Sequence, residues 1–374
     1  MLKVPLFDLT RQYKGMREEM LKKIDETISN GVVILGQNVE EIEEKIANYV
    51  GTNYAVAVGN GSDALLLALQ SMGIEKGDHV LTTPYTFFAT ASAITRLGAI
   101  PIFVDVNEDF NINVDLVKKQ IESDKSIKVV IPVHLFGKSV NMDYLKSVCD
   151  EHGIKILEDA AQSIGSEALV DGKKFKTGAI GEAGILSFFP TKNLGAYGDA
   201  GMVLTNSEEI AKRVKSLRVH GARQKYVHEE IGYNSRMDEI QAAVLNVKFS
   251  HLDEWIDARI KVAKRYSNLL GDFVQCPEVP GDRTYVFHQY VIKTKARDDL
   301  REYLTNEGVG TAIYYPIPLH LQKCFSFLGY KNGDFPVAEK LSRESLAIPI
   351  FPEIKPDEQE YVANKIKSYM EVRS

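Results

Sequence analysis

One lysine is marked out by the residues around it. In SFFPTKNLGAYGDAG, Lys192 follows Ser187 by five residues and sits among apolar and small residues in a glycine-rich loop. A lysine in such a setting is partly desolvated, which lowers its pKa and favours the neutral amine that attacks an aldehyde. Upstream, EDAAQSIG places Asp159 directly after the apolar run IKIL, at the end of a strand, where parallel sheets bind ligands. If the segment turns helically, Gln162 shares a face with Asp159, and the two side chains can grip adjacent atoms of one flat ring. A carboxylate in that position keeps a pyridine nitrogen protonated and makes the ring an electron sink. Further upstream, GNGSDALLLAL sets Gly59, Gly61 and Ser62 between a strand and a helix, where free backbone N–H groups and the helix dipole hold an anion. Ser187 can offer a hydroxyl to a phosphate. In chain order these are an anion cradle, a ring acid with its partner, a hydroxyl and a lysine.

Each part has a competing reading. Gly59, Gly61 and Ala64 satisfy the GxGxxA spacing of a dinucleotide-binding turn, which would make the protein an NAD-dependent oxidoreductase. That site needs an acidic residue at the end of the next strand, and HVLTTP ends in Thr82, Thr83 and Pro84 instead. The same glycines also make an ordinary capped helix start with Asp63 near its positive end. Glu158 and Asp159 alone fit a solvated strand end, and most lysines are surface charges. The eight histidines include no HExxH, and no Cys/His cluster has ligand spacing, so metal catalysis finds no support.

The elements that must position these residues alternate between helical and extended periods. Val39, Ile42, Ile46 and Val50 mark one helix face, YAVAV reads as a buried strand, and ALLLALQSM as a helix closed by Gly73. HVLTT, Thr86 to Leu97, IPIFVDV, Leu116 to Ile121, VVIPV, Tyr144 to Cys149 and IKILED continue strand, helix, strand. This predicts an α/β fold with a mainly parallel sheet covered on both faces. Residues 165–202 read as loop-rich with short strands GILSFF and GMVLT, and about Ser235 to Leu270 as long helical stretches. A strand YVFHQYVIK, a helix Arg297 to Glu307, a Pro-punctuated loop and two helical segments then suggest a smaller α+β domain. The boundary is expected near residue 250, giving units 1–250 and 251–374.

At 374 residues and 44% hydrophobic content the chain can bury a substantial core. Lys+Arg 45 against Asp+Glu 51 leaves a net charge of −6, which argues against nucleic-acid partners, since a phosphate backbone demands a basic face. Cys149, Cys276 and Cys324 are odd in number and contain no CxxC pair, as expected for reduced thiols. Lys3, Pro5, Asp8 and Arg11 interrupt the first residues too early for a signal peptide, and no apolar run reaches membrane-spanning length. A cytoplasmic location is expected.

The strings NGSDAL, PYTFFAT, EDAAQSIG, SFFPTKNLG, GYNSRMDEIQAAVL, YPIPLHLQ and GDFPVAE together resemble the DegT family of sugar aminotransferases over nearly the whole chain. The resemblance implies the aspartate-aminotransferase fold (fold type I), pyridoxal 5'-phosphate as cofactor, and a homodimer with active sites shared across the interface. It makes Lys192 the Schiff-base lysine, Asp159 the partner of the pyridine nitrogen and Gln162 a contact of the ring hydroxyl. It assigns the cofactor phosphate to Gly61, Ser62 and Ser187, stacking on the ring to Phe87, and a reach to the neighbouring subunit's phosphate to Asn234. An aromatic at the start of an apolar helix is otherwise often core, and an asparagine before a helix often only forms a turn. Relatives with histidine in place of the lysine act as dehydratases, so Lys192 points to transamination. His220, Arg223, Tyr226, Arg236, Tyr314 and His320 fall in segments the family uses around a nucleotide-linked sugar. Arg236 could meet a carboxylate or phosphate bidentately, or form a structural ion pair. The FFPTKNLGAYGDAG version resembles members that aminate C3 of a ketohexose more than C4. L-glutamate is the implied amino donor. A C4 keto sugar, a non-sugar cyclic ketone and a non-catalytic regulator on the same scaffold are the remaining readings.

Overall fold

The computed structural model describes residues 2–372. Its centre is a seven-stranded sheet in the order Tyr54–Val58, Gly201–Thr205, Ala183–Ser187, Lys155–Asp159, Ile127–Val130, His79–Thr82, Ile100–Phe103. The five strands from Ala183–Ser187 outward run parallel. Gly201–Thr205 runs against both its neighbours. Six strands therefore end at one edge of the sheet, and that edge collects Val58, Thr82, Asp159 and Ser187.

The strands are nearly all apolar because both faces are covered. On one side, helices Gly61–Ser71, Phe88–Arg96 and Glu208–Leu217 pack Leu65, Leu69, Ile94 and Val214 on Val56, Val129 and Ile185. On the other, Gln37–Val50 and Glu239–Phe249 pack Val39, Ile42, Ile46 and Leu245 on Ala57, Leu186 and Met202. Helix Leu252–Leu270 divides its contacts: Leu252 and Ile256 join that second core, whereas Val262, Ala263, Tyr266 and Leu270 join the core of the C-terminal third. That last core also takes in Val4, whose segment pairs with Val309.

Three details refine the sequence expectation. The helical stretches expected from 235 to 270 are two helices, Glu239–Phe249 and Leu252–Leu270, broken around Ser250. Of YVFHQYVIK only Tyr290–Lys293 is a strand, because Phe287 takes φ +47 and the chain before it bonds instead to the Phe136–Gly137 loop. Its antiparallel partner, Ser345–Ile348, is too short to announce itself between two helices.

Next to Asp159, Glu158 points to the opposite face of the strand and is fully buried. Its carboxylate accepts from His134 Nε2 at 3.0 Å and from the backbone N–H groups of Gly178, Ile180 and Gly181 at 2.8, 2.6 and 2.8 Å. The N–H of Val140 donates to His134 Nδ1, which leaves Nε2 as the donor toward Glu158. This network ties two loops to the strand that carries Asp159. Glu158→Ala strands four buried donors and should lower the free energy of unfolding by about 3–5 kcal/mol. Denaturant titration measures it, and a loss under about 1 kcal/mol would show that the network is not a support.

Candidate active site

A cavity of about 850 Å³ opens at the carboxyl edge of the parallel strands. Its walls bring together Gly61, Ser62, Phe87, Asp159, Gln162, Ser187, Lys192 and Tyr314.

The anion cradle follows from sheet register. Gly201 stands between Val58 on one side and Ser187 on the other, so the loops leaving these two strands meet above it. A Cβ on Gly201 would lie 2.3 Å from the Asn60 carbonyl carbon, so only glycine lets the loop pass. Asn60 caps helix Gly61–Ser71 by accepting the Asp63 N–H at 2.8 Å. The Gly61 and Ser62 N–H groups, at the first turn, have no carbonyl behind them within the helix. A Cβ on Gly61 would come within 2.7 Å of Ser187 Cβ, so the serine hydroxyl sits against the helix start. The helix start is capped, and its first residues, Gly61 and Ser62, line the cavity.

Asp159 ends its strand at 5% exposure, with Thr90 Oγ1 donating to Oδ2 at 2.8 Å and the Ala161 N–H to Oδ1 at 3.2 Å. Burial pushes its pKa up, against those hydrogen bonds and the charge of Lys192. Gln162 is oriented by two bonds: the Phe136 N–H donates to Oε1 at 2.8 Å, and Nε2 donates to the Tyr315 hydroxyl at 3.2 Å. Phe87 is 56% exposed at the start of helix Phe88–Arg96, its ring 6.3 Å from that of Tyr315, so it is a wall of the cavity and not core.

Lys192 hangs from a closed loop. Its N–H donates to the Phe189 carbonyl and that of Ala196 to the Phe188 carbonyl, both at 2.8 Å. A Cβ on Gly195 would meet the Pro190 oxygen at 2.4 Å, so the turn requires glycine. The amine is reachable from the cavity but walled by protein. Desolvation lowers its pKa to about 8, opposed by the negative charge of Asp159. Buried Lys248, which sequence reasoning passed over, donates to the Gly195 carbonyl at 2.7 Å and anchors the loop from behind.

Other expected residues lie elsewhere. Asn234 and Arg236 bond to each other at 2.7 Å outside the cavity, while Ser235 between them is buried. The Ser235 hydroxyl accepts the Gly59 N–H at 3.1 Å and donates to Asp63 at 2.8 Å. His220, at φ +64, is exposed at the base of a hairpin where Tyr226 is 84% exposed and Arg223 pairs with Glu229. His320 is buried at 2% exposure, its Nε2 3.1 Å from Glu339 and its ring against Phe335, so the expected substrate contact has no cavity wall to act from. Conversely, His288, Gln289, Thr90 and Tyr315 belong to the site or its support without any local motif that marks them.

A desolvated amine, a buried carboxylate and an anion cradle at one edge of a parallel sheet define an α/β enzyme that works through an anionic, carbonyl-bearing group. The family is specific: residues 14–367 match the DegT/DnrJ/EryC1/StrS aminotransferase family, and the chain belongs to it. A "pleiotropic regulatory protein" of Geobacillus stearothermophilus is 45% identical over 98% of this chain and 99% of its own. A UDP-N-acetyl-3-dehydro-alpha-D-glucosamine 3-aminotransferase of Acidithiobacillus ferrooxidans is 38% identical over 97% of both chains. Among solved structures, S. venezuelae DesV in complex with a ketimine intermediate superposes with TM-score 0.94 at 36% identity over 99% of both chains.

The Lys192 environment has a direct chemical consequence. In the cofactor-free protein, capture of a small aldehyde at Lys192, fixed by borohydride and mapped by mass spectrometry, should rise about tenfold per pH unit up to pH about 8 and level off above it, because only the neutral amine reacts. A rate still climbing through pH 10, as for a surface lysine, would contradict the desolvated setting.

Proposed function

We propose that this chain is a pyridoxal 5'-phosphate-dependent aminotransferase that moves an amino group from L-glutamate to C3 of a nucleotide-linked keto sugar in amino-sugar biosynthesis. The observation that carries the reading is Lys192, its pKa lowered to about 8 by desolvation in a cavity that it shares with a buried carboxylate. Substrate class and position rest on relatives, since the Acidithiobacillus protein is named for a 3-amination and a Streptomyces venezuelae relative, 37% identical, is a dTDP-3-amino-3,4,6-trideoxy-alpha-D-glucose transaminase.

The residues fit this cofactor. Gly61, Ser62 and Ser187 would hold its phosphate, in a cradle too tight for a side chain on Gly61. Asp159 would face the ring nitrogen, and a cation there reverses the penalty that burial imposes on the carboxylate. Gln162 would meet the ring hydroxyl and Phe87 would stack on the ring through its exposed face. Once bound, the cofactor supplies an aldehyde for the amine and a ring that takes up electrons. Lys192 Nζ would be the base that takes the proton from the donor's α carbon and the acid that delivers it to the carbon that had been the cofactor's aldehyde, for glutamate, and would carry it the opposite way for the keto sugar. Phe136, Phe189, Tyr314 and Tyr315 wall the chamber with aromatic rings and limit water around that proton.

In this reading residues 1–250 form the cofactor domain and 251–374 a smaller domain, and the protein works in the cytoplasm as a homodimer. Asn234, Arg236 and His220 do not line their own cavity, which supports a role for them in completing a neighbour's. The reading assigns no nucleic-acid partner, in keeping with the net charge of −6; no helix of the described residues is long and apolar enough to cross a membrane. The name of the Geobacillus relative favours a regulatory alternative, but regulation alone requires neither a reactive lysine nor a buried carboxylate in a cavity with it.

Borohydride reduction followed by peptide mapping should locate a phosphopyridoxyl group on Lys192, and glutamate should shift the visible absorption. An adduct on another lysine, or no shift, would overturn the reading. Reverse half-reactions with nucleotide-linked 3-amino and 4-amino sugars decide the position, and turnover of only the 4-amino set, or only of a cyclic non-sugar amine, would replace C3. Asp159→Asn should keep the cofactor but lose about two orders of magnitude in kcat, about 3 kcal/mol of transition-state stabilisation. A loss under threefold would remove Asp159 from the chemistry.

A further inference from the structure

The acid of the cavity is gripped from a neighbouring helix. Helix Phe88–Arg96 carries three hydroxyl side chains, and two of them take the ordinary course of bonding back to their own turn: Ser92 Oγ donates to the Ala89 carbonyl at 3.3 Å and Thr95 Oγ1 to the Ala91 carbonyl at 3.2 Å. Thr90 does not. Its hydroxyl leaves the helix and donates to Asp159 Oδ2 at 2.8 Å, 69 residues away in the chain. Behind it, Thr86 Oγ1 lies 3.2 Å from Thr90 Oγ1. Both threonines are buried, and both line the cavity with Asp159.

The direction of these bonds follows from what each group can do. An ionised carboxylate only accepts, so the Thr90 proton points at Oδ2. Thr90 then has only lone pairs left to offer, and the proton of the second contact comes from Thr86. On the other oxygen, the Ala161 N–H donates to Oδ1 at 3.2 Å. Each carboxylate oxygen therefore has its own donor, one from the helix and one from the chain two residues on, and the plane of the group cannot turn without losing one of them. A proton on Oδ2 would require the Thr86–Thr90–Asp159 chain to reverse, and a proton on Oδ1 would weaken the acceptor of the Ala161 N–H. Burial pushes the Asp159 pKa up, and of the influences that pull it down the Thr90 hydrogen bond is the largest, ahead of the Ala161 N–H, Lys192 and His134. Tyr315, whose own pKa is pushed up by burial and by the Asp159 charge, stays neutral beside them.

We propose that Thr90 is the positioning residue of the site's acid: backed by Thr86, its hydroxyl fixes the plane of the Asp159 carboxylate and holds the group as an acceptor for the ring nitrogen of the cofactor. The inference rests on the aminotransferase reading for the ring, whereas the hydrogen bonds stand without it. A methyl in place of the hydroxyl leaves Oδ2 short of a donor in a buried setting and frees the plane to turn. In this role Thr90 acts through Asp159, so its removal should matter to turnover only while a carboxylate stands at 159.

Cofactor-free protein labelled with ¹³C at the aspartate carboxyls, with Asp159→Asn for assignment, reads the acid directly by NMR. Thr90→Val, which keeps the shape and removes the donor, should raise the Asp159 midpoint by about half a unit or more, and Thr90→Ser, which restores a hydroxyl, should bring it back. In the loaded enzyme Thr90→Val should lower kcat about tenfold with each KM within about twofold, and should cost less than about twofold once Asp159 is already Asn, because the two changes then remove the same interaction. An unchanged midpoint, a serine that fails to restore it, or equal losses in both backgrounds would each overturn the proposal. Where Thr90→Val fails to fold, Thr90→Ala lacks the same donor, and its Asp159 midpoint decides in the same way. Wild-type protein without any glutamate-driven spectral change would sink the aminotransferase reading alone, and the Asp159 midpoint would still report on Thr90.

Discussion

An amine and a carboxylate share a chamber where water is scarce, and the rest of the molecule is arranged around that tension. Desolvation penalises the charged form of each, pushing Lys192 down and Asp159 up, while their mutual attraction pulls the other way. Left to themselves two such groups would sit at a surface. The sheet prevents this: Asp159 pairs in register with Ile185, two residues before that strand ends at Ser187, and the chain returns through Gly201 one strand away. The reversed strand Gly201–Thr205 is thus the topological reason that the loop bearing Lys192 hangs over the carboxyl edge of its parallel neighbours.

Holding that arrangement takes supports that do no chemistry. Glu158 and His134 form a second buried polar pair on the far face of the Asp159 strand, with three backbone N–H groups completing the carboxylate. Lys248 grips the Lys192 loop from helix Glu239–Phe249, and Arg259 clamps the strained turn at Phe287. Ser235 joins the segment between Asn234 and Arg236 to the anion cradle through Gly59 and Asp63. A shift at the exposed Asn234–Arg236 surface is therefore mechanically connected to the start of helix Gly61–Ser71.

The layered α/β architecture was legible because apolar runs such as YAVAV and ALLLAL carry period and length together, and buried parallel strands leave little else to be. Several residues of the cavity wall were legible too, since glycine placement and strand ends announce Gly61, Ser62, Asp159 and Lys192 locally. Residues whose role depends on folding were not. His288 belongs to a run that reads as continuous strand, and only the positive φ at Phe287 takes it out of the sheet and into the cavity. His320, in a motif that resembles a site segment, is instead enclosed by Glu339 and Phe335, partners 19 and 15 residues away that no local pattern could name. Phe87 shows the reverse: an aromatic at a helix start looks like core, and its exposure comes from the cavity beside it.

The central claim is that protein packing, and not the cofactor, lowers the Lys192 pKa to about 8, so that a sizeable fraction of the amine is neutral near physiological pH. Lysine labelled with ¹⁵N at Nζ, followed by NMR in cofactor-free protein with Lys192→Arg used for assignment, reads that titration directly. The account predicts a midpoint near pH 8, falling further in Asp159→Asn because the carboxylate opposes the shift. A midpoint above 10, unmoved by Asp159→Asn, would mean that the amine is hydrated and that the chamber does not act on it.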